Sequence, residues 1–332
     1  MIITKTPFRM SFAGGGSDLP SFYRIQQGAV VSTTINKYVY ITINKKFDDG
    51  IRVAYSKNEE VRTVDQIEHR LVREVMKLLN IDGGIEITTI ADIPSKGTGL
   101  GSSSSFTVGL INALNAYKNN YISRECLGKL SCEIELNICK EPIGKQDQYA
   151  AAYGGFNFIE FMADDSVRVS PIICKPATLQ QIEEDSLLFY TGITRQASNL
   201  LKQQSYDVAA NQDKRQLTAK MVELAYQLKK ELESNTSKTF GEILHENWMI
   251  KKSLNKSISS DEIDYYYSRA RKAGATGGKI LGAGAGGFLL VNAPKEYHQS
   301  VIMALRPLRR VDFNFEGQGS AIILYNSGLS NQ

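Results

Sequence analysis

Cysteine, histidine and tryptophan are scarce in this chain, with four, three and one copies among 332 residues. The cysteines are Cys126, Cys132, Cys139 and Cys174, and their spacing predicts neither a zinc site nor a disulfide framework. We expect buried free thiols, as is usual in a reducing compartment. The histidines are scattered along the chain, which argues against a histidine metal site or a histidine-based catalytic triad.

Long apolar runs and a strong excess of one charge are missing too. No apolar run approaches the roughly 18 residues of a membrane span, and the start MIITKTPFRM is unlike a secretory leader. The net charge is +4, from 39 Lys and Arg against 35 Asp and Glu, and no basic stripe interleaved with aromatic residues is present. We therefore expect a cytoplasmic protein that binds neither nucleic acid nor a membrane. A slight basic excess suits anionic small molecules.

Strand and helix patterns alternate along the chain. Segment 37–47 alternates apolar and polar residues, and segment 50–56 follows it after the turn signal Asp-Asp-Gly, which predicts a hairpin. Apolar residues at helical spacing predict helices over 64–80, 105–118 and 123–139. In the second of these the apolar residues form one stripe, which predicts an amphipathic helix.

The C-terminal part is mostly helical in pattern from about residue 195 onward. A capping box at Ser259 and Glu262 predicts the start of one helix. Segments 279–292 (KILGAGAGGFLLVN) and 320–326 (SAIILYN) have strand composition, and glycines interrupt the first.

These patterns predict an α+β fold class in each half of the chain. A boundary near 165–185 separates the halves, since no repeat or low-complexity linker is visible. We divide the chain into an N-terminal domain over 1–170 and a C-terminal domain over 171–332.

The segment 93–105, IPSKGTGLGSSSS, joins a strand pattern to a helix pattern and so falls at a helix N-terminus. Unpaired N–H groups and the positive end of the helix dipole favour an anion there, and glycines let the backbone approach it. The segment therefore predicts a phosphate cradle. It lacks the Gly-Lys-Ser/Thr of a Walker loop, and Ser104 stands where a G-x-G-x-x-G match starting at Gly99 needs its last glycine. A flexible turn with a serine helix cap is an equal alternative on this segment alone.

Further motifs accompany this segment. The four motifs, in chain order, are PFRMSFAGGGSDLP (7–20), PSKGTGLGSSSS (94–105), GKQDQYAAAYGG (144–155) and GGKILGAGAGGFLLV (277–291). Together they resemble the GHMP kinase superfamily, named for galactokinase, homoserine kinase, mevalonate kinase and phosphomevalonate kinase. Four segments are most similar to the D-glycero-D-manno-heptose 7-phosphate kinases within this superfamily. They are the motifs at 7–20 and 144–155 and the stretches YTGITRQASNLLKQQ and LHENWMIKKSL.

The resemblance implies a two-domain GHMP kinase fold. Its N-terminal domain is like domain 2 of a small-subunit ribosomal protein, and its C-terminal domain is ferredoxin-like. It also implies ATP and Mg²⁺ as cofactors and a small sugar phosphate as partner. The product would be the 1,7-bisphosphate on the way to nucleotide-activated heptose.

The central glycine motif, by this resemblance, wraps the ATP phosphates. Its residues are Pro94, Ser95, Lys96, Gly97, Thr98, Gly99, Leu100, Gly101, Ser102, Ser103 and Ser104. The hydroxyl of Ser103 and the carboxylate of Glu135 would hold Mg²⁺, with Glu133 as the alternative to Glu135. The third glycine motif would close over the site with Gly282, Gly284 and Gly286, the alternative being a glycine-bridged strand pair.

Two residues match the catalytic positions of the family. Asp147 matches the acid beside the accepting hydroxyl, as a base or as an orienting group. The alternative for a lone aspartate after a glycine is an Asx-turn. Arg9 matches the basic residue that stabilises charge next to that acid, and its alternative is a surface salt bridge.

The first motif supplies the sugar contacts that the resemblance implies. They are Gly15, Gly16, Ser17 and Asp18, to which Asp147 is added. Galactokinases carry Glu-His where this chain has two glycines, which argues against galactose. The sugar's own phosphate would need cations at the far end of the pocket. The candidates are Arg195, Lys251 and Lys279, each with a surface position as its alternative.

Other functions stay open at this point. An L-fucokinase-like enzyme or another sugar 1-kinase of the superfamily is one alternative. A non-catalytic sugar or ATP sensor on the same fold is a second. The oligomeric state is open as well, with a homodimer among the alternatives.

Overall fold

A computed structural model describes residues 1–94, 98–193 and 197–326, with only the backbone for 197–199. Four residues of the predicted site therefore lie outside the described residues: Ser95, Lys96, Gly97 and Arg195.

Thirteen strands and eleven α-helices occur within the described ranges. The strands are β1 (Ile2–Ala13), β2 (Gly28–Lys45), β3 (Ile51–Ala54), β4 (Asn58–Val61), β5 (Ile85–Ala91), β6 (Asn157–Phe161), β7 (Val167–Pro171), β8 (Ser186–Tyr190), β9 (Gly277–Ile280), β10 (Phe288–Asn292), β11 (Arg309–Arg310), β12 (Phe315–Glu316) and β13 (Ala321–Tyr325). The helices are α1 (Pro20–Tyr23), α2 (Arg70–Leu78), α3 (Ser102–Tyr117), α4 (Arg124–Cys132), α5 (Gln146–Tyr153), α6 (Pro176–Glu184), α7 (Ala197–Ala210), α8 (Gln212–Glu233), α9 (Phe240–Leu254), α10 (Asp261–Lys272) and α11 (His298–Ala304). A π-helical segment, Glu133–Ile138, continues α4.

The strands form two sheets, which confirms the α+β fold class. The larger sheet has the order β13–β1–β2–β5–β3–β4, with β6 and β12 also paired to β2 and β7 paired to β6. The smaller sheet has the order β11–β8–β10–β9. The long strand β2 organises the larger sheet, because β1 pairs along its length while β5, β12 and β6 share its other edge.

The predicted hairpin of 37–47 with 50–56 is wrong. The strand β3 pairs antiparallel with β4 and parallel with β5, and β5 lies between β2 and β3. Alternation of side chains indicates that a segment is a strand, but it does not choose the neighbouring strand. The strand β2 already has β1 and β5 on its two edges, so β3 has no edge of β2 left to join.

The helix α3 lies at the centre of the larger half. Residues 104–116 are all buried, against β1 and β2 on one side and α4 and α5 on the other. The prediction of an amphipathic stripe is therefore wrong for this helix, because its whole circumference is covered. Its N-terminus is the point where the glycine loop reaches β1.

Serine side chains cap α4 and α10, and the second of these tests the capping-box prediction. Ser123 caps α4, since its side chain accepts from the N–H of Cys126. At α10 the cap is Ser260, whose hydroxyl oxygen accepts from the N–H of Ile263, so the predicted start at Ser259 is one residue early.

The last two strands return to the larger sheet. The strand β13 pairs with β1, and β12 pairs with β2 at Thr34 and Ile35. Residues beyond 310 thus complete the sheet that the first residues begin. The division at residue 170 stays a prediction, and the sheet pairing shows that both ends of the described chain belong to one layer.

The cysteines are all free thiols, as expected, but not all are buried. Cys132 and Cys139 are buried, whereas Cys126 is exposed on α4. Within the described residues, no helix combines the length and apolar character needed to cross a bilayer.

Candidate active site

A cleft of about 240 Å³ opens where β1, the N-termini of α3 and α5, helix α9 and the loop after β9 meet. Most predicted site residues within the described ranges line it. They are Arg9, Gly16, Asp18, Thr98, Gly99, Gly101, Ser102, Ser103, Ser104, Asp147, Lys251 and Gly282. Five segments far apart in sequence therefore converge on one cavity.

Arg9 and Asp147 form a bidentate ion pair in this cleft. The Nε and Nη2 atoms of Arg9 donate to the two carboxylate oxygens of Asp147, each at 2.7 Å. Nη1 donates to the carbonyl of Gly99 at 2.6 Å. The Arg9 side chain is 4% exposed and that of Asp147 23%, so only the carboxylate is open to the cleft. A surface salt bridge, the alternative for Arg9, is therefore wrong.

The glycine loop touches this ion pair. Gly99 and Gly101 both have φ of +74°, a left-handed conformation that favours glycine. A Cβ added at Gly101 would lie 3.1 Å from Oδ2 of Asp147 and 3.2 Å from Cγ of Arg9. The backbone N–H of Arg9 also donates to the carbonyl of Leu100 at 3.0 Å. The glycine loop and the Arg9–Asp147 ion pair are therefore in direct contact.

Three of the four serines have tertiary partners rather than a capping role. Gly101 is the N-cap of α3, so the serine-cap alternative is wrong. The hydroxyl of Ser104 donates to Glu135 at 2.8 Å, and that of Ser105 donates to the carbonyl of Pro7 at 2.9 Å. Ser103 is exposed to the cleft and donates to Glu135 at 3.3 Å.

Glu135 is fully buried at the base of the loop. It accepts hydrogen bonds from Thr107 at 3.0 Å and Gln148 at 2.5 Å in addition to the serines. The pKa of Glu135 is raised to about 7: burial raises it most, the hydrogen bonds from Ser104, Gln148 and Thr107 lower it, and the charge of Asp147 raises it slightly. Its rival Glu133 is exposed and accepts from Asn137, away from Ser103.

The π-helical turn explains why this register is hard to predict. An extra residue per turn shifts the side chains that follow it, so spacing along an ideal helix does not identify the inward-facing glutamate. The structure brings Glu135, not Glu133, next to Ser103.

The donors present suit magnesium. No cluster of three or more His, Cys, Asp or Glu residues able to hold a metal occurs in the described ranges. The Ser103 hydroxyl and the Glu135 carboxylate are hard oxygen donors 3.3 Å apart. Mg²⁺ binds through one or two such protein ligands, with phosphate oxygens and water completing its shell.

Asp18 forms one wall of the cleft. It is buried, and it accepts from the N–H of Gly16 at 3.0 Å and of Gln146 at 3.3 Å. Burial raises the pKa of Asp18, and the negative charge of Asp147 adds to this. A Cβ on Gly144 would lie 1.9 Å from Oδ2 of Asp18, so this glycine, which the motif reading did not single out, makes room for the carboxylate.

Two predicted sugar contacts are placed otherwise. Ser17 is fully buried and exchanges hydrogen bonds with the backbone of Ala29, both at 3.1 Å. The geometry therefore gives Ser17 a scaffolding role, since its hydroxyl is satisfied away from the cleft. Gly15 has open space beside it, with Ser11 Oγ, at 3.9 Å, nearest to an added Cβ.

Lys251 lies nearer the reacting centre than predicted. It is buried in the cleft wall, and its Nζ donates to the carbonyl of Gly282 at 2.5 Å. Burial lowers the pKa of Lys251 to about 8, with the charge of Arg9 lowering it and those of Asp18 and Asp147 raising it. Lys251 therefore lies near the Arg9–Asp147 ion pair and not at the far end of the cavity.

Lys279 does not line the cleft. Its buried ammonium donates to the carbonyls of Ser11 and Phe12 at 2.8 and 2.9 Å, tying β9 to β1. Burial lowers the pKa of Lys279. The geometry does not support the predicted contact with a substrate phosphate, because both hydrogen bonds go to backbone carbonyls inside the protein.

The third glycine motif joins β9 and β10, which pair antiparallel, so its strand-pair alternative is also seen. A Cβ on Gly282 would lie 2.5 Å from Cα of Gly99, so the two glycine loops are in backbone contact. Gly284 and Gly286 contact Ile258 and Ile193 instead. They shape the loop, while Gly282 lines the cleft.

A second pocket, of about 790 Å³, lies on the other side of Ser102 and Ser103. Aromatic rings line it: His69 lies 4.7 Å from Tyr55 and 4.9 Å from Phe106 between ring centroids. Nδ1 of His69 is buried with no hydrogen-bond partner in the described chain. Pro94 also lines this pocket. These aromatic residues were not found from the sequence, because they come from separate elements and carry no common motif.

Comparison with known proteins places this geometry in a family. Residues 66–155 match the GHMP kinases N terminal domain, and residues 228–304 match the GHMP kinases C terminal domain. The chain belongs to the GHMP kinase family. Members of this family are phosphotransferases that use ATP. The two-domain GHMP kinase fold and the sugar kinase class predicted from the sequence are thereby confirmed.

Individual GHMP kinases resemble the chain over nearly its whole length. It is 32% identical to a D-glycero-alpha-D-manno-heptose 7-phosphate kinase of Campylobacter jejuni over 96% of this chain and 97% of that protein. The structure of a D-glycero-D-manno-heptose 1-phosphate kinase from Bacteroides thetaiotaomicron has a TM-score of 0.80 at 28% identity, covering 96% and 98% of the two chains. A Lactococcus lactis galactokinase complexed with galactose has a TM-score of 0.78 at 16% identity over 96% and 94%. The last likeness concerns the fold alone.

Proposed function

We propose that this protein transfers the γ-phosphoryl group of ATP to the anomeric hydroxyl of D-glycero-D-manno-heptose 7-phosphate, giving the 1,7-bisphosphate. The observation that carries the proposal is the contact of the Arg9–Asp147 ion pair with the Gly101 turn at the N-terminus of α3. An acceptor hydroxyl held by Asp147 would therefore lie next to phosphates held by the loop.

Asp147 acts on the acceptor. Its carboxylate is fixed by two hydrogen bonds from Arg9, and each oxygen keeps a lone pair for a further donor. It accepts a hydrogen bond from the anomeric hydroxyl and aims that oxygen at the γ-phosphorus. The new oxygen–phosphorus bond forms as the bond to ADP breaks, and the hydroxyl proton passes to the Asp147 carboxylate. Positioning supplies most of the catalysis.

Arg9 and the helix terminus act on the charge of the phosphates. The guanidinium of Arg9 lies between Asp147 and the Gly99 carbonyl, where developing negative charge is close to it. The N-terminus of α3, with Gly101 as its N-cap, lines the same cleft, and the positive end of the helix dipole there favours phosphate. Lys251 is a second cationic side chain, after Arg9, in the lining of the cleft.

Ser103 and Glu135 would hold the magnesium ion of MgATP. The ion supplies neutralisation of the β- and γ-phosphate charge. Glu135 is prepared for a cation, since its carboxylate is buried with no basic side chain hydrogen-bonded to it among the described residues.

The aromatic pocket would take the adenine base. It adjoins Ser102 and Ser103, so a base in it lies on the opposite side of the loop from the sugar. The rings of Tyr55, His69 and Phe106 provide flat apolar surface for a purine.

The sugar assignment rests on the heptose phosphate kinases named above and on Gly15 and Gly16 in place of a galactokinase-like Glu-His. The two heptose kinases are named for different phosphate positions. A 1-kinase needs a free anomeric hydroxyl, so the proposal requires the 7-phosphate and excludes the 1-phosphate as acceptor.

The test is ADP release by the purified protein with MgATP and a panel of acceptors. The panel contains heptose 7-phosphate, heptose 1-phosphate, mannose, L-fucose and galactose. We expect turnover with heptose 7-phosphate at a kcat/KM at least about a hundredfold above the others, since buried polar recognition can discriminate by more than that. Phosphorus NMR of the product should show a new phosphate on carbon 1.

Other outcomes identify the alternatives. Preference for L-fucose would indicate a fucokinase-like enzyme. Binding of a sugar and ATP without any ADP release would indicate the sensor. Either result overturns the proposed function.

A further inference from the structure

Two glutamine amides in the cleft have polar atoms left without partners. Gln204, on α7, is 3% exposed, and its Nε2 has no hydrogen-bond partner in the described parts of the chain. Oε1 of Gln146, the first residue of α5, is buried and unpaired within the same ranges. Both side chains line the cleft with Asp18 and Asp147. Buried polar groups are nearly always hydrogen-bonded, so a ligand in the cleft is the expected partner.

The position of the Gln204 amide explains a glycine of the first motif. A Cβ added at Gly16 would lie 2.3 Å from Nε2 of Gln204. The amide thus occupies the space where any side chain at position 16 would begin. The N–H of Gly16 donates to Asp18 at 3.0 Å, so Gln204 and Asp18 flank the same glycine.

The helix α7 is anchored so that only one of its two adjacent glutamines faces the cleft. Ser205 donates to the hydroxyl of Ser21 on α1 at 3.0 Å, which holds α7 against the first motif. Gln203 points the other way, since its Nε2 donates to Asp207 at 2.8 Å on the exposed side. Gln203 and Gln204 therefore carry the same amide group, one on the exposed surface and the other in the cleft.

We propose that Gln204 and Gln146 determine which sugar the acceptor site selects. The Nε2 of Gln204 donates to one sugar hydroxyl, and Oε1 of Gln146 accepts from another. This rests on the proposed function, because it takes the acceptor to be a sugar. A donor and an acceptor in fixed positions read the arrangement of hydroxyls, and an analogue that lacks the matching hydroxyl leaves the amide unpaired.

The test compares Gln204→Met with wild type on heptose 7-phosphate and its monodeoxy analogues at carbons 2, 3, 4 and 6. We expect the KM for heptose 7-phosphate to rise about threefold to tenfold, as for the loss of one neutral hydrogen bond, with the KM for ATP unchanged. For one analogue, wild type and variant should have equal KM values, because the contact is already missing. Gln146→Met should behave in the same way with a different analogue.

Two further variants separate recognition from folding. Gln203→Met changes the neighbouring amide on the exposed side and should leave every KM unchanged. Gln204→Glu keeps the size but replaces the amide donor by a carboxyl group, so it should raise the sugar KM and leave the ATP KM unchanged, although a carboxyl group buried near Asp18 lowers the melting temperature.

Each outcome decides one of the two claims. If wild type phosphorylates heptose 7-phosphate but Gln204→Met keeps its KM and its discrimination among the analogues, the Gln204 proposal is wrong and the proposed function stands. If wild type binds these sugars in calorimetry without phosphorylating them, the proposed function is wrong, and the same comparison is made with dissociation constants. If it neither binds nor phosphorylates any of them, both are wrong.

Discussion

Gly101 and Asp147 lie against each other in the cleft, so closely that a methyl group on Gly101 would need the aspartate to shift by a few tenths of an ångström. A Cβ on Gly101 would lie 3.1 Å from Oδ2 of the aspartate. Gly101 precedes the first residue of α3, and Asp147 lies in the first turn of α5. The two helix starts are therefore fixed relative to each other, and a change at either residue should affect the other.

Asp147→Asn removes the anionic acceptor while preserving shape. We expect kcat to fall by about a hundredfold to ten-thousandfold, the range for loss of an acid–base or orienting group, with little change in ATP binding. Steady-state kinetics and calorimetric titration with MgATP measure the two. Asp213→Asn, also in the first turn of a helix but exposed, is the control and should be silent. Near-normal turnover of Asp147→Asn would refute the assigned role.

Gly101→Ala places a methyl group against the ion pair. The positive φ costs about 1–2 kcal/mol for any non-glycine residue, and the contact with Asp147 and Arg9 adds a loss of turnover. Gly84→Ala is the matched control, because its φ is +66° and an added Cβ would meet only Asp48 O at 3.9 Å. Both variants should lose similar stability in thermal melts, and only Gly101→Ala should lose activity. Equal activity of the two would contradict the contact.

Lys251 predicts a pH dependence of substrate binding. Its pKa is lowered to about 8, so the ammonium is charged below that pH and neutral above it. A phosphate group of either substrate binds the charged form, hence KM should rise above pH 8, by about tenfold per pH unit in the limit of a single proton. The charges facing this group are Arg9, Asp18, Asp147 and Lys279.

Methionine variants identify the titrating group. Lys251→Met should remove the rise in KM between pH 8 and 9.5, whereas Lys252→Met, next to it and paired with Asp264, should keep it. The same rise in both variants would assign the titration to another residue.

His69→Ala should weaken ATP without affecting the sugar. Removing a ring from the aromatic pocket is expected to raise the KM for ATP about threefold to tenfold, from the loss of one aromatic contact. His298→Ala is the control, since His298 bonds to the carbonyl of Ala293 beyond the smaller sheet. A sugar KM that rises as much as the ATP KM would show that this pocket does not belong to the nucleotide.

The parts of the site that depend on short, contiguous patterns could be predicted from the sequence. Local backbone needs mark the glycine turns, whereas Asp147 and Arg9 were indicated by the resemblance of their motifs to those of the GHMP kinases. All of them meet in one cleft. Their chemistry with ATP and sugar is argued from that meeting. The α+β class followed from side-chain periodicity in the same local way.

Other features depend on pairing between distant segments. The partner of β3, the burial of Lys279 and the inward turn of Gln204 are decided by which elements pack together. Lysine and glutamine are usual surface residues, so nothing in their own sequence neighbourhood marks them as buried. The choice of Glu135 over Glu133 came from the resemblance, because the π-helical turn prevents helical spacing from deciding it, and the structure does place Glu135 next to Ser103.

The closing strands bear on how the chain is made. The backbone carbonyl of Glu316 accepts hydrogen bonds from the hydroxyl of Thr34 at 2.6 Å and from the N–H of Gly155 at 3.0 Å. The strand β13 forms the outer edge of the larger sheet next to β1. During synthesis the first strands emerge long before these partners exist. The larger sheet therefore keeps an open edge until residues 315–325 have been made, and a chain truncated before residue 315 would lack both β12 and β13.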